Sequence, residues 1–152
     1  MKNLEVLRAE EEWQRGGAYS VRIQGMNRQH GISLREEFDG HDGDGTRYIV
    51  LLDEGYPIAT CRFYELGPEC ALLGRVVVLP EYRGAKLGNR VVQEAEQWMA
   101  ELGYREVVID SRVVAIGFYE KLGYLAVDDA VFKSGPFDCI RMHKVLGDGN
   151  QR

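Results

Sequence analysis

With 152 residues the chain is long enough for one domain with a real core and too short for two ordinary ones. Apolar residues make up 45% of it and charged residues 28%, which excludes disordered, collagen-like and coiled-coil chains, and the formal charge of −5 argues against a general nucleic-acid binder with its large basic surface. No apolar run approaches the roughly 18 residues that span a bilayer, the start MKNLEVLRAEEEW lacks a signal peptide's apolar core, and Cys61, Cys70 and Cys139 form no CxxC or Cys/His pattern, so we expect a cytoplasmic protein with reduced thiols, no metal and no membrane partner.

Along the chain, Tyr19, Ile23, Met26 and His30 fall at helical spacing within residues 17–30, with Gly25 as the weak point. Residues 31–46 are polar, glycine-rich and acidic, without a period, and predict an irregular loop. RYIVLLD and PIATCRFYEL flank Glu54-Gly55-Tyr56 and predict an antiparallel hairpin over 47–66. ALLGRVVVL, residues 71–79, supplies another strand, which Pro80 ends because it has no N–H to donate. Val91, Val92, Ala95, Trp98, Met99 and Leu102 then form one helical stripe, with Arg90, Glu94, Gln97 and Glu101 opposite and Gly103 as the stop. REVVID predicts a buried strand, AIGFYEKLG a short helix ended by Gly123, and YLAVDDAVFK and DCIRMHKV two further strands. This reads as one domain over 1–146 and a flexible tail over 147–152. The element order indicates a mixed α/β fold rather than a doubly wound one.

The stretch EYRGAKLGNRVV, residues 81–92, joins a strand to a helix. A helix begins with unpaired N–H groups and a partial positive charge, so Arg83 to Asn89 form a ready anion site. Gly84 and Gly88 let backbone approach a ligand of pyrophosphate size, and Arg83 and Lys86 add charge. The plainer reading is a glycine-assisted turn with solvated cations. Neither GxxxxGK[ST] nor GxGxxG is present, which sets aside the two best-known phosphate loops.

Arg83-Gly84-Ala85-Lys86-Leu87-Gly88, following VVVLPEY, resembles the R-x-x-G-x-G signature of the GNAT superfamily of N-acetyltransferases, with Lys86 in place of the usual middle glycine. Ala115-Ile116-Gly117-Phe118-Tyr119-Glu120-Lys121-Leu122-Gly123-Tyr124 is similar to the same family's A-x-x-F-Y-x-K-x-G-F helix. Upstream, EEFDGHDGDGTRYIV and IATCRFY resemble the ElaA-like branch, so the match spans roughly residues 19–145. Arg112 stands where many members carry Asn, and Asp138-Cys139-Ile140 where the branch tends to have Pro-His-Ile.

The resemblance implies a mostly antiparallel, twisted mixed sheet flanked by helices, with two central strands splayed apart. It implies acetyl-coenzyme A as co-substrate, with its pyrophosphate on Arg83, Gly84, Ala85, Lys86, Leu87, Gly88 and Asn89, and main-chain contacts from Val76, Val77 and Val78 to the pantetheine and thioester. Arg112 and Phe118 would line the same site, and Lys121 would meet the 3′-phosphate, unless it is a solvated helix lysine. Tyr119, where the family places a tyrosine as acid, would protonate the departing thiolate, since a phenol of pKa about 10 keeps its proton at neutral pH.

A base is sought among Glu36, Glu37, Asp39, Asp42 and Asp44, with Glu37 first because Phe38 beside it could draw it under the loop; the plainer reading is a solvated acidic loop. A calcium loop fails, since Arg47 stands where the required glycine should be. Arg62 and Arg75, within strand-like runs, either face solvent or pair with the loop's acids beneath the sheet. His30, His41 and His143 are too scattered for a ligand set. Cys139 offers a ping-pong route through an acetyl-cysteine, with no activating histidine evident. The expected function is direct acetyl transfer to a primary amine of a small molecule or peptide, cationic if the acidic loop borders the channel. The alternative is an acyl-coenzyme A sensor or docking module without turnover. A homodimer is the other partner left open.

Overall fold

A computed structural model describes residues 3–147, so the tail expected over 147–152 lies outside the described residues except for Gly147. Strands β1 (Leu4–Arg8), β2 (Arg47–Asp53), β3 (Tyr56–Gly67), β4 (Cys70–Val78), β5 (Glu106–Arg112), β6 (Leu125–Ser134) and β7 (Phe137–Val145) form one sheet in the order β1-β2-β3-β4-β5-β7-β6. β4 and β5 run parallel, and every other neighbouring pair is antiparallel. The helices are α1 (Glu12–Arg22), α2 (Arg28–His30), α3 (Leu34–Glu37), α4 (Leu87–Glu101) and α5 (Ile116–Lys121). No helix among the described residues is long and apolar enough to cross a membrane. β1 was not expected: five residues carry too short an alternation, and their pairing with β2 is a contact across some 45 positions of chain.

β2 is buried on both faces, and its period of two divides the core. Tyr48, Val50 and Leu52 pack with Ala9 and Ala18 on the α1 side. Ile49 and Leu51 point the other way, into the cluster that holds Val91, Val92, Ala95 and Met99 of α4. Each such fully buried aliphatic side chain contributes on the order of 1.5–3 kcal/mol. The stripe expected on α4 is the buried one as far as Met99; Leu102, beyond the helix end, is 42% exposed.

The first helical region is not one regular helix. α1 runs through a π-helical segment, Ile23–Asn27, into α2. One additional residue in a turn rotates everything after it by about 100°. Tyr19 and His30 therefore serve different surfaces: Tyr19 packs edge-on against Phe38 and Tyr48, and His30 against Phe137. Gly25 lies in this segment for a steric reason, since a Cβ there would stand 2.6 Å from Val77 Cγ1. The helix seats on β4 at a distance that only glycine permits.

Three acids of the loop, Glu37, Asp39 and Asp42, fold inward, while Glu36 and Asp44 stay exposed. Ser33 caps α3, accepting from the Glu36 amide, and the chain beyond it delivers Glu37, Asp39 and Asp42 to three arginines. Arg22 donates to Glu37 at 2.8 Å and to both oxygens of Asp42 at 2.8 and 3.0 Å. Arg62 reaches Asp39 and Asp42, and Arg75 reaches Glu37 and Asp39. Arg62 thus occupies a strand because its face of β3 meets this network, while Cys61 and Phe63 on the opposite face join the α4 core. Burial would raise the Asp42 pKa, but hydrogen bonds from Arg22 and Tyr48 and the charges of Arg22 and Arg62 outweigh it and hold the carboxyl low. Asp39 is likewise lowered, its burial outweighed by the Arg62 guanidinium.

Removing Arg22 would strip Glu37 and Asp42 of one buried partner each and leave Arg75 and Arg62 to hold them, so Arg22→Ala should lower unfolding free energy by up to about 3–5 kcal/mol in urea titrations. Because the folded pKa values of Asp39 and Asp42 lie below their unfolded ones, their contribution is full above about pH 4 and is lost as the pH falls further. Asp42→Asn should flatten the decline of stability with acid in that window.

Candidate active site

β4 and β5 begin as neighbours and then part. The parallel ladder runs only from Cys70 to Leu73 against Glu106 to Ile109. Beyond it, β5 continues with β7 to Arg112, and β4 stays with β3 to Val78. The divergence starts where Arg75 takes a φ of +51°, and the β3–β4 register shifts between Thr60 and Arg62. A non-glycine residue in this region is sterically costly, and Arg75 is held there by its Nε 3.0 Å from Glu37 Oε2 and by donation to the Glu37 carbonyl at 2.9 Å. The result is a V-shaped opening, with Val76, Val77 and Val78 on one arm and Arg112 at the end of the other.

At the top of β4 the chain passes through a single 3₁₀ turn, Pro80–Tyr82, and then a loop with two left-handed residues, Gly84 at φ +89° and Lys86 at φ +61°. Lys86, where the motif usually has its middle glycine, adopts a left-handed conformation and bears the strain. α4 starts here without a side-chain cap and without an acidic residue in its first turn. Its first helical bond runs from the Arg90 amide to the Lys86 carbonyl, 3.3 Å, so the amides of Leu87, Gly88 and Asn89 have no partner within the helix. These amides and the positive end of the helix are available to an anion.

Arg83 is employed differently from the expectation. Its Nε donates to the Val78 carbonyl at 3.0 Å, and its Nη2 to the Gly25 carbonyl and Gln29 Oε1, both at 3.3 Å. It ties the loop to the π-helical segment and to the open arm of β4.

The V, the loop and the first turn of α5 share a cavity of about 660 Å3. Of the residues expected at the site, Val76, Val77, Val78, Arg83, Gly84, Lys86, Leu87, Gly88, Asn89, Arg112, Phe118 and Tyr119 line it. Ala85, Lys121 and Glu37 do not: Ala85 and Lys121 are exposed elsewhere, and Glu37 is buried between Arg22 and Arg75. Met26, Gln29, His30, Tyr82 and Ala115 also line it and were not singled out. The helical spacing of Met26 and His30 was the available signal, but the π segment that turns them toward the cavity leaves no trace in a hydrophobic pattern.

Tyr119 is buried edge-on between Phe118 and Tyr124. Burial, and then the neighbouring Cys61, push its phenol above the ordinary tyrosine value, so it keeps its proton at neutral pH. Phe118 lies directly against the helix head, where a Cβ on Gly88 would come within 3.1 Å of its ring. The Arg112 guanidinium stacks on Phe137, 4.1 Å from the ring centroid. Cys139, opposite Arg112 on β7, is buried, and burial with the Asp110 carboxylate raises its pKa, the reverse of an activated thiolate. Among the described residues no three His, Cys, Asp or Glu side chains converge as a metal-binding group.

Comparison with known proteins agrees with this geometry. The profile of the acetyltransferase (GNAT) family matches residues 6–124. An uncharacterized acetyltransferase of Streptococcus pyogenes serotype M1 is 30% identical over 113 residues, covering 74% of this chain and 79% of its own. Among solved structures, a presumed N-acetyltransferase from Lactobacillus plantarum superposes with a TM-score of 0.88 at 29% identity, covering 95% of this chain and 99% of its own. Escherichia coli ElaA superposes less well, with a TM-score of 0.77 at 20% identity over 95% of this chain and 99% of its own. The expected ElaA likeness is thus one of fold.

Two variants separate strain from binding at the helix head. Lys86→Gly should relieve the left-handed strain and raise the unliganded Tm by roughly 2–4 °C, up to about 1 kcal/mol, while reducing the further rise on adding coenzyme A. Gly88→Ala, which drives Phe118 out of place, should at least halve that ligand-induced rise.

Proposed function

Because the chain belongs to the acetyltransferase (GNAT) family and is an acetyl-coenzyme A-dependent acetyltransferase, we propose that it moves the acetyl group directly onto a primary amine of a small molecule or peptide, within a ternary complex. The observation that carries this reading is that an uncapped helix head, an unpaired strand arm and a protonated, buried tyrosine open into one cavity.

Each part has a task. The amides of Leu87, Gly88 and Asn89, with the charge of Lys86, would hold the diphosphate, which supports the coenzyme reading more than the side chain of Arg83 does. The arm at Val76 to Val78, unpaired on its β5 side, would take the pantetheine and thioester carbonyl through main-chain hydrogen bonds. Arg83 would position that arm through the Val78 carbonyl. Tyr119 would donate its proton to the departing thiolate. A ping-pong route through Cys139 finds no support, since its thiol is held protonated. Three free thiols accord with a cytoplasmic location.

Glu37 is unsuited to act as base, because its carboxylate is buried and engaged by two guanidiniums. The acidic loop is also a poor attractor of cationic amines. Glu37, Asp39 and Asp42 are matched by Arg22, Arg62 and Arg75, which leaves only the exposed Glu36 and Asp44 to supply a field that could steer an acceptor.

Release of free thiol from acetyl-coenzyme A in the presence of an amine panel tests the proposal; no release with any amine would end it. Tyr119→Phe should lower kcat by about 10²–10⁴-fold with little change in the Tm rise on adding coenzyme A. Rates with a cationic and a neutral amine of similar size should respond alike to added salt.

A further inference from the structure

The titratable side chains that line the cavity are His30, Tyr82, Arg83, Lys86, Arg112 and Tyr119, and no carboxylate is among them. An amine that reaches the thioester as an ammonium ion must lose a proton before it can attack. Arginine and lysine arrive protonated, and a phenol kept protonated by burial is an acid rather than a base. Imidazole is the side chain that changes its charge near neutrality. Glu37, Asp39 and Asp42 are engaged by the arginines under the sheet and Asp110 of β5 by Arg141 at 2.8 Å, while Glu81 and Glu120, each next in the chain to a lining tyrosine, are exposed and do not line the cavity.

His30 is placed by packing. It ends α2 and meets Phe137, at the start of β7, edge-on with ring centroids 5.1 Å apart. The same phenyl ring carries the Arg112 guanidinium from the end of β5. Phe137 so joins the end of α2 to the open end of β5, and His30 and Arg112 both face the cavity. The charged groups around His30 are Arg28 on its own element, Arg83 through Gln29, Arg112 over the shared ring, and Asp138 beside Phe137, which is paired with Lys133 at 2.9 Å.

Building on the acetyltransferase reading, we propose that His30 is the general base that takes the proton from the incoming amine. An imidazole nitrogen accepts one ammonium proton, and the freed lone pair bonds to the acetyl carbonyl carbon as the carbon–sulfur bond breaks. Tyr119 gives its proton to the sulfur and is reprotonated by the second proton leaving the nitrogen. His30 then releases its proton to solvent, so one proton is set free for each acetyl group transferred.

The test compares wild type, His30→Gln and His30→Phe with ethanolamine, glucosamine, spermidine and an alanyl peptide amide, following thiol release from pH 6 to 10. With the best of these amines both variants should lose about 10²–10⁴-fold in kcat at pH 7. The deficit should shrink as the pH rises and the amine arrives already neutral. A wild-type rate in His30→Phe, which keeps the ring contact with Phe137 but cannot accept a proton, would reduce His30 to packing and overturn the proposal, as would a deficit independent of pH. The imidazole C–H resonance that disappears in His30→Gln should shift when wild type is saturated with coenzyme A. A resonance that does not move would place His30 away from the occupied cleft and also overturn it. Wild type that releases no thiol with any of the four amines overturns the base together with the amine-transfer reading, whereas wild-type turnover with unchanged variants overturns the base alone.

Discussion

The kink at Arg75 is the constraint on which the rest of this molecule depends. A parallel pair of strands would continue zipping if nothing stopped it, because each further residue adds backbone hydrogen bonds. Here the ladder between β4 and β5 stops after Leu73 and Ile109, and the residue that breaks it is held in a left-handed conformation by Glu37 and Asp39. Those carboxylates are in turn fixed by Arg22 and Arg62. A buried ionic cluster of this kind is a weak source of stability, since desolvation offsets much of the attraction. Its value lies in geometry: it keeps the sheet open and leaves the outer part of β4 unpaired on its β5 side.

The helix head follows a similar logic. Most helices satisfy their first amides with a serine, threonine, asparagine or aspartate cap, and α3 does so with Ser33. α4, the long helix beside the open strand, instead begins at a left-handed lysine that caps nothing. The loop bears backbone strain at Lys86, and in return three amides and a cation face the same space. Gly88 lets Phe118 close against this turn, so the aromatic floor of the cavity and the uncapped helix head are built as one contact.

Distribution of charge separates the two faces of the protein's chemistry. Glu37, Asp39 and Asp42 of the 31–46 segment turn inward and are paired under the sheet, while Glu36 and Asp44 stay exposed, and the cavity is lined by phenols, cations and one imidazole. A site so arranged suits a polyanionic co-substrate. Tyr119, at one end of the cavity, is kept protonated by burial. The π-helical segment matters here because it turns Met26 and His30 toward the cleft while Tyr19 stays with Phe38 and Tyr48.

The sequence by itself determined most of the elements and the glycine-containing loop ahead of α4. The hairpin around Glu54-Gly55, the stripe on α4 and the glycine-bracketed junction at 83–88 are all local signals, because period, turn chemistry and helix-start chemistry act within a few residues of chain. The destination of charged side chains, and the roles that depend on it, were decided by tertiary structure. Arg62 and Arg75 face acids that lie 20 to 38 positions away, Glu37 is buried between Arg22 and Arg75, and Arg83 donates to the Val78 carbonyl. β1 and the place of His30 on the cavity wall belong to the same class. Each depends on what lies across the fold, and burial and pairing between distant residues leave no periodic mark on the chain that carries them.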